Sequence, residues 1–162
     1  MKTLYAPFMA LGLMAATSVQ AEVFKDKSST STCIPASNEE IMKRSDGSSV
    51  RKIVGNCVGL VSDVPAPYDI QKVTCFTTLE LSADNKPITS HGYCEVLSPK
   101  GDGRAAYTVV YDPVNHGRWQ YFSGSGVYAG VKGSGTYKLR MPLATGGGVY
   151  DATGTWEVEA RK

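Results

Sequence analysis

His91, Tyr93 and Glu95 are the residues of this chain whose types and spacing could do acid–base chemistry. They alternate within Ile88–Leu97, a segment that reads as a β-strand. Alternate side chains of a strand share one face, about 7 Å apart per two-residue step. An imidazole and a carboxylate lining a barrel could exchange protons with a substrate, while the tyrosine hydroxyl polarises a carbonyl. The three residues are therefore the candidate catalytic set.

The alternative is that these three side chains face water. Cys94 lies between them in the sequence, so it points to the opposite face of the strand. If Cys94 points inward, the candidate set points outward. The expected inward positions of Val73, Leu79 and Leu81 on the preceding strand favour this outward orientation.

A second group of candidates consists of aromatic side chains in the C-terminal half. They could line the mouth of a barrel and bind a small apolar ligand, or they could fill the core of a small barrel. The candidate ligand-binding residues are Tyr107, Tyr111, Trp119, Tyr121, Tyr137 and Trp156. We predict no metal site and no cofactor, because the chain has only two histidines and no C-x-x-C motif.

Four cysteines, Cys33, Cys57, Cys75 and Cys94, are the only ones in the chain. An even number in an exported protein favours disulfides over a redox or metal site. Folding the segment about a turn near residues 84–85 places Cys75 opposite Cys94, whereas folding about residues 65–67 places Cys57 opposite Cys75. We favour the pairs Cys75–Cys94 and Cys33–Cys57.

Glycine is dense between Gly124 and Gly135, where five of twelve positions are glycine. Such density permits positive φ and close backbone approach, which is typical of a tight corner in an all-β fold. The stretch has no phosphate-binding motif followed by a helix. We therefore interpret it as a structural corner.

Period-two alternation predicts seven strands from Val50 to the C-terminus. In the last two, we expect Tyr137, Leu139, Trp156 and Val158 to face inward, because polar residues alternate with them. The predicted strands cover residues 50–61, 70–81, 88–97, 105–111, 118–122, 136–141 and 150–159. The fold class is therefore all-β, an antiparallel barrel or sandwich.

The N-terminal part of the chain reads differently. Residues 1–21 have a basic start, a short apolar stretch and a small-x-small cleavage site, and we predict a signal peptide cleaved after Ala21. The remaining 141 residues carry 16 basic side chains (17 less Lys2) and 15 acidic ones, which does not suggest nucleic acid as a partner. Residues 22–49 form an extension, with a mobile lead-in over Lys25–Thr32 and a short helix from the capping box at residues 37–40 to about Arg44. Residues 50–162 form the barrel domain.

The stretch from Trp119 to Tyr137 resembles the strand-and-corner signature of allene oxide cyclase and dirigent-like barrels. Ser123 stands where that pattern has its first glycine, and Ser125 where it has a threonine. Small exported bacterial proteins of this class also have a cysteine-containing hairpin before the glycine corner and a Gly-x-Trp strand, as at residues 154–156. The resemblance implies a calycin-like antiparallel barrel of about eight strands. No catalytic residue of the plant cyclase finds a matching motif here.

Three functions remain open from the sequence. The first is a secreted or periplasmic barrel that binds a small hydrophobic ligand. The second is an isomerase or cyclase by fold analogy, although no nucleophile elbow or catalytic triad order supports an enzyme. The third is a protein-interaction module, such as an inhibitor or an effector. No segment beyond residue 21 is long and apolar enough to span a membrane as a helix, and the sequence leaves the oligomeric state open.

We predict that non-reducing peptide mapping of the mature protein recovers Cys33 linked to Cys57 and Cys75 linked to Cys94. Each bond is expected to stabilise the fold by roughly 2–4 kcal/mol. Four free thiols would contradict an oxidised, exported fold, whereas a Cys57–Cys75 peptide would contradict only the pairing.

Overall fold

The computed structural model describes residues 20–36, 40–112, 116–144 and 147–160. These residues form nine β-strands and no helix. The predicted signal peptide, apart from its last two residues, lies outside the described residues. The strands are β1 (Ala21–Pro35), β2 (Glu40–Lys43), β3 (Ser49–Val61), β4 (Ile70–Leu81), β5 (Pro87–Leu97), β6 (Gly103–Asp112), β7 (His116–Gly126), β8 (Lys132–Pro142) and β9 (Gly148–Glu159).

The strands close into an antiparallel barrel. Strands β3 to β9 follow one another as sequential neighbours, and β1 pairs with β9 on one side and β3 on the other. The barrel wall therefore has eight strands, β1 and β3 to β9. The short β2 extends the wall by pairing with the part of β3 that β1 does not reach. The all-β class predicted from the alternation is confirmed, as are the antiparallel barrel that the resemblance implied and each of the seven predicted strands.

Two predictions for the N-terminal segment are wrong. Residues 25–32, expected to be a mobile lead-in, belong to barrel strand β1. Residues 40–43, expected to be helical, form β2 against β3; residues 37–39 of the proposed capping box lie outside the described residues. The physical reason is that β3 and β9 both expose backbone edges, and pairing with those edges outweighs local propensity.

A β-bulge in β1 changes which side chains point inward. Phe24 is paired with Trp156, but the next pair is Lys27 with Gly154, so three steps along β1 match two along β9. Asp26 within the bulge has a φ of 49°. Because an extra residue shifts the alternation by one, Phe24 points inward before the bulge, and odd-numbered residues point inward after it.

Both disulfides join directly paired residues on neighbouring strands. Cys33–Cys57 links β1 to β3, and Cys75–Cys94 links β4 to β5. These are the two pairs that the sequence favoured. Because all four cysteines line the interior, the bonds reinforce the wall from within, on both sides of the β3–β4 pair.

One end of the barrel is a packed hydrophobic core, which we call the closed end. Its aromatic members lie in mutual contact: Phe24 stacks on Trp156 with ring centroids 4.1 Å apart, and Tyr68 contacts both rings. Tyr68 also donates a hydrogen bond of 3.0 Å to the Val127 carbonyl. Tyr128 is fully buried. At about 1.5–3 kcal/mol per large buried side chain, this cluster is a main source of stability.

The glycine-rich stretch forms a corner that places two of its side chains in the closed end. β7 and β8 pair only from Gly117–Tyr137 to Gln120–Ser134 and then separate. Between them, a turn over residues 127–130 inserts Val127 and Tyr128 into the closed end. Gly126 has a φ of 60°, and a Cβ there would collide with the Asp102 carbonyl oxygen. The corner is therefore a fixed part of the core.

We predict that Gly126→Ala destabilises the protein much more than Gly101→Ala. Both glycines have positive φ, but a Cβ at Gly101 meets nothing within 4 Å. Gly101→Ala should cost about 1–2 kcal/mol through φ alone, and Gly126→Ala about 3 kcal/mol, because the Asp102 carbonyl must also move away from the Val127 amide. Urea unfolding of the two variants measures the difference. Equal losses would mean that the corner adapts freely.

Candidate functional site: an aromatic cavity inside the barrel

The other half of the barrel interior is a cavity of about 490 Å³. Its walls come from every barrel strand, and Trp156 lies where the cavity meets the closed end. At the opposite end the lining reaches strand termini, at Pro35, Pro87 and Tyr111. The interior is therefore packed at one end and hollow at the other.

All six aromatic residues predicted as ligand-binding candidates line this cavity. Tyr107, Trp119 and Tyr121 form a cluster with edge-to-face geometry and centroid separations of 5.5–6.3 Å. Tyr137 makes a similar contact with Tyr150, at 6.2 Å. Edge-to-face contacts leave ring faces available to a third group, so the walls can contact an apolar or aromatic molecule.

Inward-facing glycines create the space that these rings occupy. A Cβ on Gly135 would lie 2.6 Å from the Trp119 ring, and one on Gly154 would overlap the same ring. A Cβ on Gly117 would overlap the Tyr137 ring. The two large aromatic rings therefore lie close against glycine backbone in β7, β8 and β9 instead of projecting across the barrel. This arrangement keeps the centre of the barrel hollow.

The electrostatic character of the cavity comes from phenols and one lysine. Among the described residues, its lining includes Lys27 and five tyrosines but no carboxylate and no histidine. Burial raises the pKa of Tyr107 and Tyr121 well above the ordinary phenol value, and the Tyr121 oxygen also accepts a hydrogen bond from the Gln71 side-chain amide. Burial likewise raises the pKa of Tyr137 and Tyr150. At neutral pH these phenols are neutral hydrogen-bonding groups.

The candidate catalytic residues do not join the cavity. His91, Tyr93 and Glu95 are exposed on the outer face of β5, whereas Cys94 between them is buried and points inward. Tyr93 stacks on Phe76 of β4, with centroids 5.1 Å apart. The structure thus places these three side chains in the outward orientation that the alternation around Cys94 favoured.

Sequence reasoning missed the cavity residues of β1. Lys27, Ser29 and Ser31 line the interior, although their segment was expected to be a mobile lead-in. The signal available was Cys33: a disulfide-bonded cysteine requires an ordered inward position, and these residues precede it at two-residue steps. Among the described residues, no group of histidine, cysteine or acidic side chains could hold a metal ion. No helix in the described ranges has the length and apolarity needed to cross a bilayer.

Comparisons with known proteins bear on the fold alone. Neither a protein-family model nor a curated protein matches the sequence. Among solved structures, the barrel is similar to the pterocarpan synthase dirigent protein GePTS1, with a TM-score of 0.58 and 8% identity over 94% of this chain and 100% of that one. It is also similar to the Diels Alderase AbmU from Streptomyces koyangensis, with a TM-score of 0.47 and 16% identity over 90% of this chain and 72% of that one. The likeness to the dirigent protein shows that this protein has a dirigent-like barrel fold, and 8% identity extends that likeness to the fold alone.

We predict that stability falls as the pH rises above about 10, the ordinary pKa of tyrosine. Four interior phenols, those of Tyr107, Tyr121, Tyr137 and Tyr150, have raised pKa values in the folded protein. The unfolded chain therefore loses protons first, so the free energy of unfolding decreases with pH in this range. This contribution is fully present below pH ~10 and is lost as the pH approaches the folded-state values.

Urea unfolding between about pH 8 and pH 11 measures this slope. Tyr121→Phe should make the slope shallower, because one buried phenol is removed. Thr108→Ala, on the outer face of the neighbouring strand β6, is the control and should keep the wild-type slope. The slope, and not the free energy of unfolding at a single pH, is the readout. Tyr121→Phe also loses the hydrogen bond to Gln71, which lowers stability by about 1 kcal/mol at every pH. An identical slope in Tyr121→Phe would contradict the burial of this phenol.

Proposed function

We propose that this protein is an exported barrel that binds a small, largely apolar molecule in its cavity. The cavity itself carries the proposal. Its volume of about 490 Å³ lies within the range of small-molecule pockets, roughly 300–1,000 Å³. Such pockets combine apolar and aromatic walls with a few polar groups, which is the composition of this interior.

Because one end of the barrel is filled, a ligand would enter the cavity from the opposite end. The closed end is filled by Phe24, Tyr68, Tyr128 and Trp156, so a guest would rest on this floor. Its apolar body would contact the aromatic walls, and its polar atoms would meet the phenols. The two internal disulfides are compatible with export. The proposal of export itself rests on the signal peptide predicted for residues 1–21.

The chemistry of the lining favours binding over catalysis. An isomerase or cyclase needs a group that moves a proton or stabilises charge in the transition state. Among the described cavity residues, the ionisable groups are Lys27 and five tyrosine phenols, and burial raises the pKa of four of these phenols. Apart from the Lys27 ammonium group, the cavity thus offers neutral hydrogen-bonding groups and an apolar surface, which suit a binding protein.

We predict that Ala152→Phe abolishes binding of phenylnaphthylamine, a neutral probe whose fluorescence rises in apolar surroundings. Ala152 lines the cavity beside Tyr137 and Ser29, so a phenyl ring there would occupy the ligand volume. Val110→Phe adds the same ring on the exposed outer face of β6 and is the matched control. Wild type and Val110→Phe should bind the probe saturably, with a raised melting temperature. Equal binding by Ala152→Phe, or no saturable binding by wild type, would refute the proposal.

Native mass spectrometry of protein from its own source identifies the class of function. A co-purified small molecule released by denaturation supports the binding protein, and the same spectrum reports whether the chain begins at Glu22. Conversion of that molecule during incubation would instead support the isomerase or cyclase. A stable complex with another protein, with an empty cavity, would support the interaction module.

A further inference from the structure

The bulge in β1 determines which charge faces the cavity. If β1 alternated without interruption from Phe24, then Asp26 would point inward and Lys27 outward. The extra residue reverses this order, so Lys27 lines the cavity. Asp26 remains on the exposed surface, where its amide donates a 3.2 Å hydrogen bond to the Thr155 hydroxyl and its carboxylate accepts one of 3.4 Å from it.

Among the described residues, the Lys27 ammonium group has no acidic partner. Its side chain is half-buried, and no described residue forms an ion pair with it. No aspartate, glutamate or histidine is present among the described cavity residues that could neutralise it. A charge placed beside an apolar cavity is costly unless it is paired or hydrated. A bound anionic group would supply the missing partner.

Polar side chains surround the same part of the cavity. Ser29 and Ser31 follow Lys27 on the inward face of β1. Ser31 is paired with Gly59, which is in turn paired with Gln71 on β4. Gly59 has no side chain, and a Cβ there would lie 2.8 Å from the Ser31 hydroxyl. The glycine therefore leaves room between two hydrogen-bonding side chains.

We propose that Lys27, with Ser29, Ser31 and Gln71, forms a subsite for the anionic head group of an otherwise apolar ligand. This inference rests on the proposed function and narrows it to amphipathic carboxylates, sulfonates or similar anions. The ammonium group neutralises the head group through a charge-assisted hydrogen bond, and the hydroxyl and amide groups satisfy its remaining oxygens. The aromatic walls hold the apolar body.

Two fluorescent probes test this subsite. Anilinonaphthalene sulfonate and phenylnaphthylamine share the same anilinonaphthalene body, and only the former carries a sulfonate. Wild type should bind the sulfonate more tightly. Lys27→Met removes the charge and retains the length of the side chain, so it should lower the ratio of sulfonate affinity to phenylnaphthylamine affinity about tenfold. Lys27→Arg should retain the preference.

Lys25→Met is the matched control, because it removes the same charge from an exposed position on the same strand. It should leave the affinity for both probes as in wild type. Decanoate and methyl decanoate, tested as competitors of phenylnaphthylamine, give a second measurement that needs no variant, and decanoate should compete better. If neither probe binds wild type, the proposed function fails. If both probes bind but Lys27→Met retains the wild-type preference for the sulfonate, or if the ester competes as well as the acid, only the anionic subsite is refuted.

Discussion

The pairing of β1 with both β9 and β3 is the constraint on which the rest of the structure depends. Without it, β3 and β9 would be the two open edges of a curved sheet, each with unpaired backbone amides and carbonyls. With it, the sheet closes and encloses an interior. The Cys33–Cys57 bond covalently joins this closing strand to β3. Closure therefore combines backbone hydrogen bonds with a covalent link.

The bulge in β1 allows one strand to serve both halves of the interior. Phe24 must point inward to stack on Trp156 at the closed end, and Cys33 must point inward to reach Cys57. The first position is even and the second odd, so a regular strand cannot satisfy both. The extra residue resolves the conflict. As a consequence, Lys27 is the charged side chain of this strand that lines the cavity, which is the basis of the proposed head-group subsite.

A barrel of eight strands is just wide enough for its side chains to fill, or for one small ligand to occupy. In this protein the two outcomes occur at opposite ends. At the closed end, the glycine corner inserts Val127 and Tyr128 between the walls. In the other half, Gly117, Gly135 and Gly154 allow large rings to lie along the wall and leave the centre hollow. Glycine thus permits a packed core at one end of the barrel and a cavity in the other half.

The sequence by itself determined strands β3 to β9 and the inward faces of the last two of them, and it favoured the observed disulfide pairs. Alternation with period two is a local property, so β3 to β9 and the inward positions of Tyr137, Leu139 and Val158 could be predicted. The tertiary structure alone decided the role of β1, because its Ser- and Lys-rich residues become a strand only when two distant edges are available for pairing. It also decided whether the aromatic residues fill a core or line a cavity. That outcome depends on how rings from one strand lie over glycines of another, as Trp119 does over Gly135 and Gly154, and such distances are absent from a local pattern.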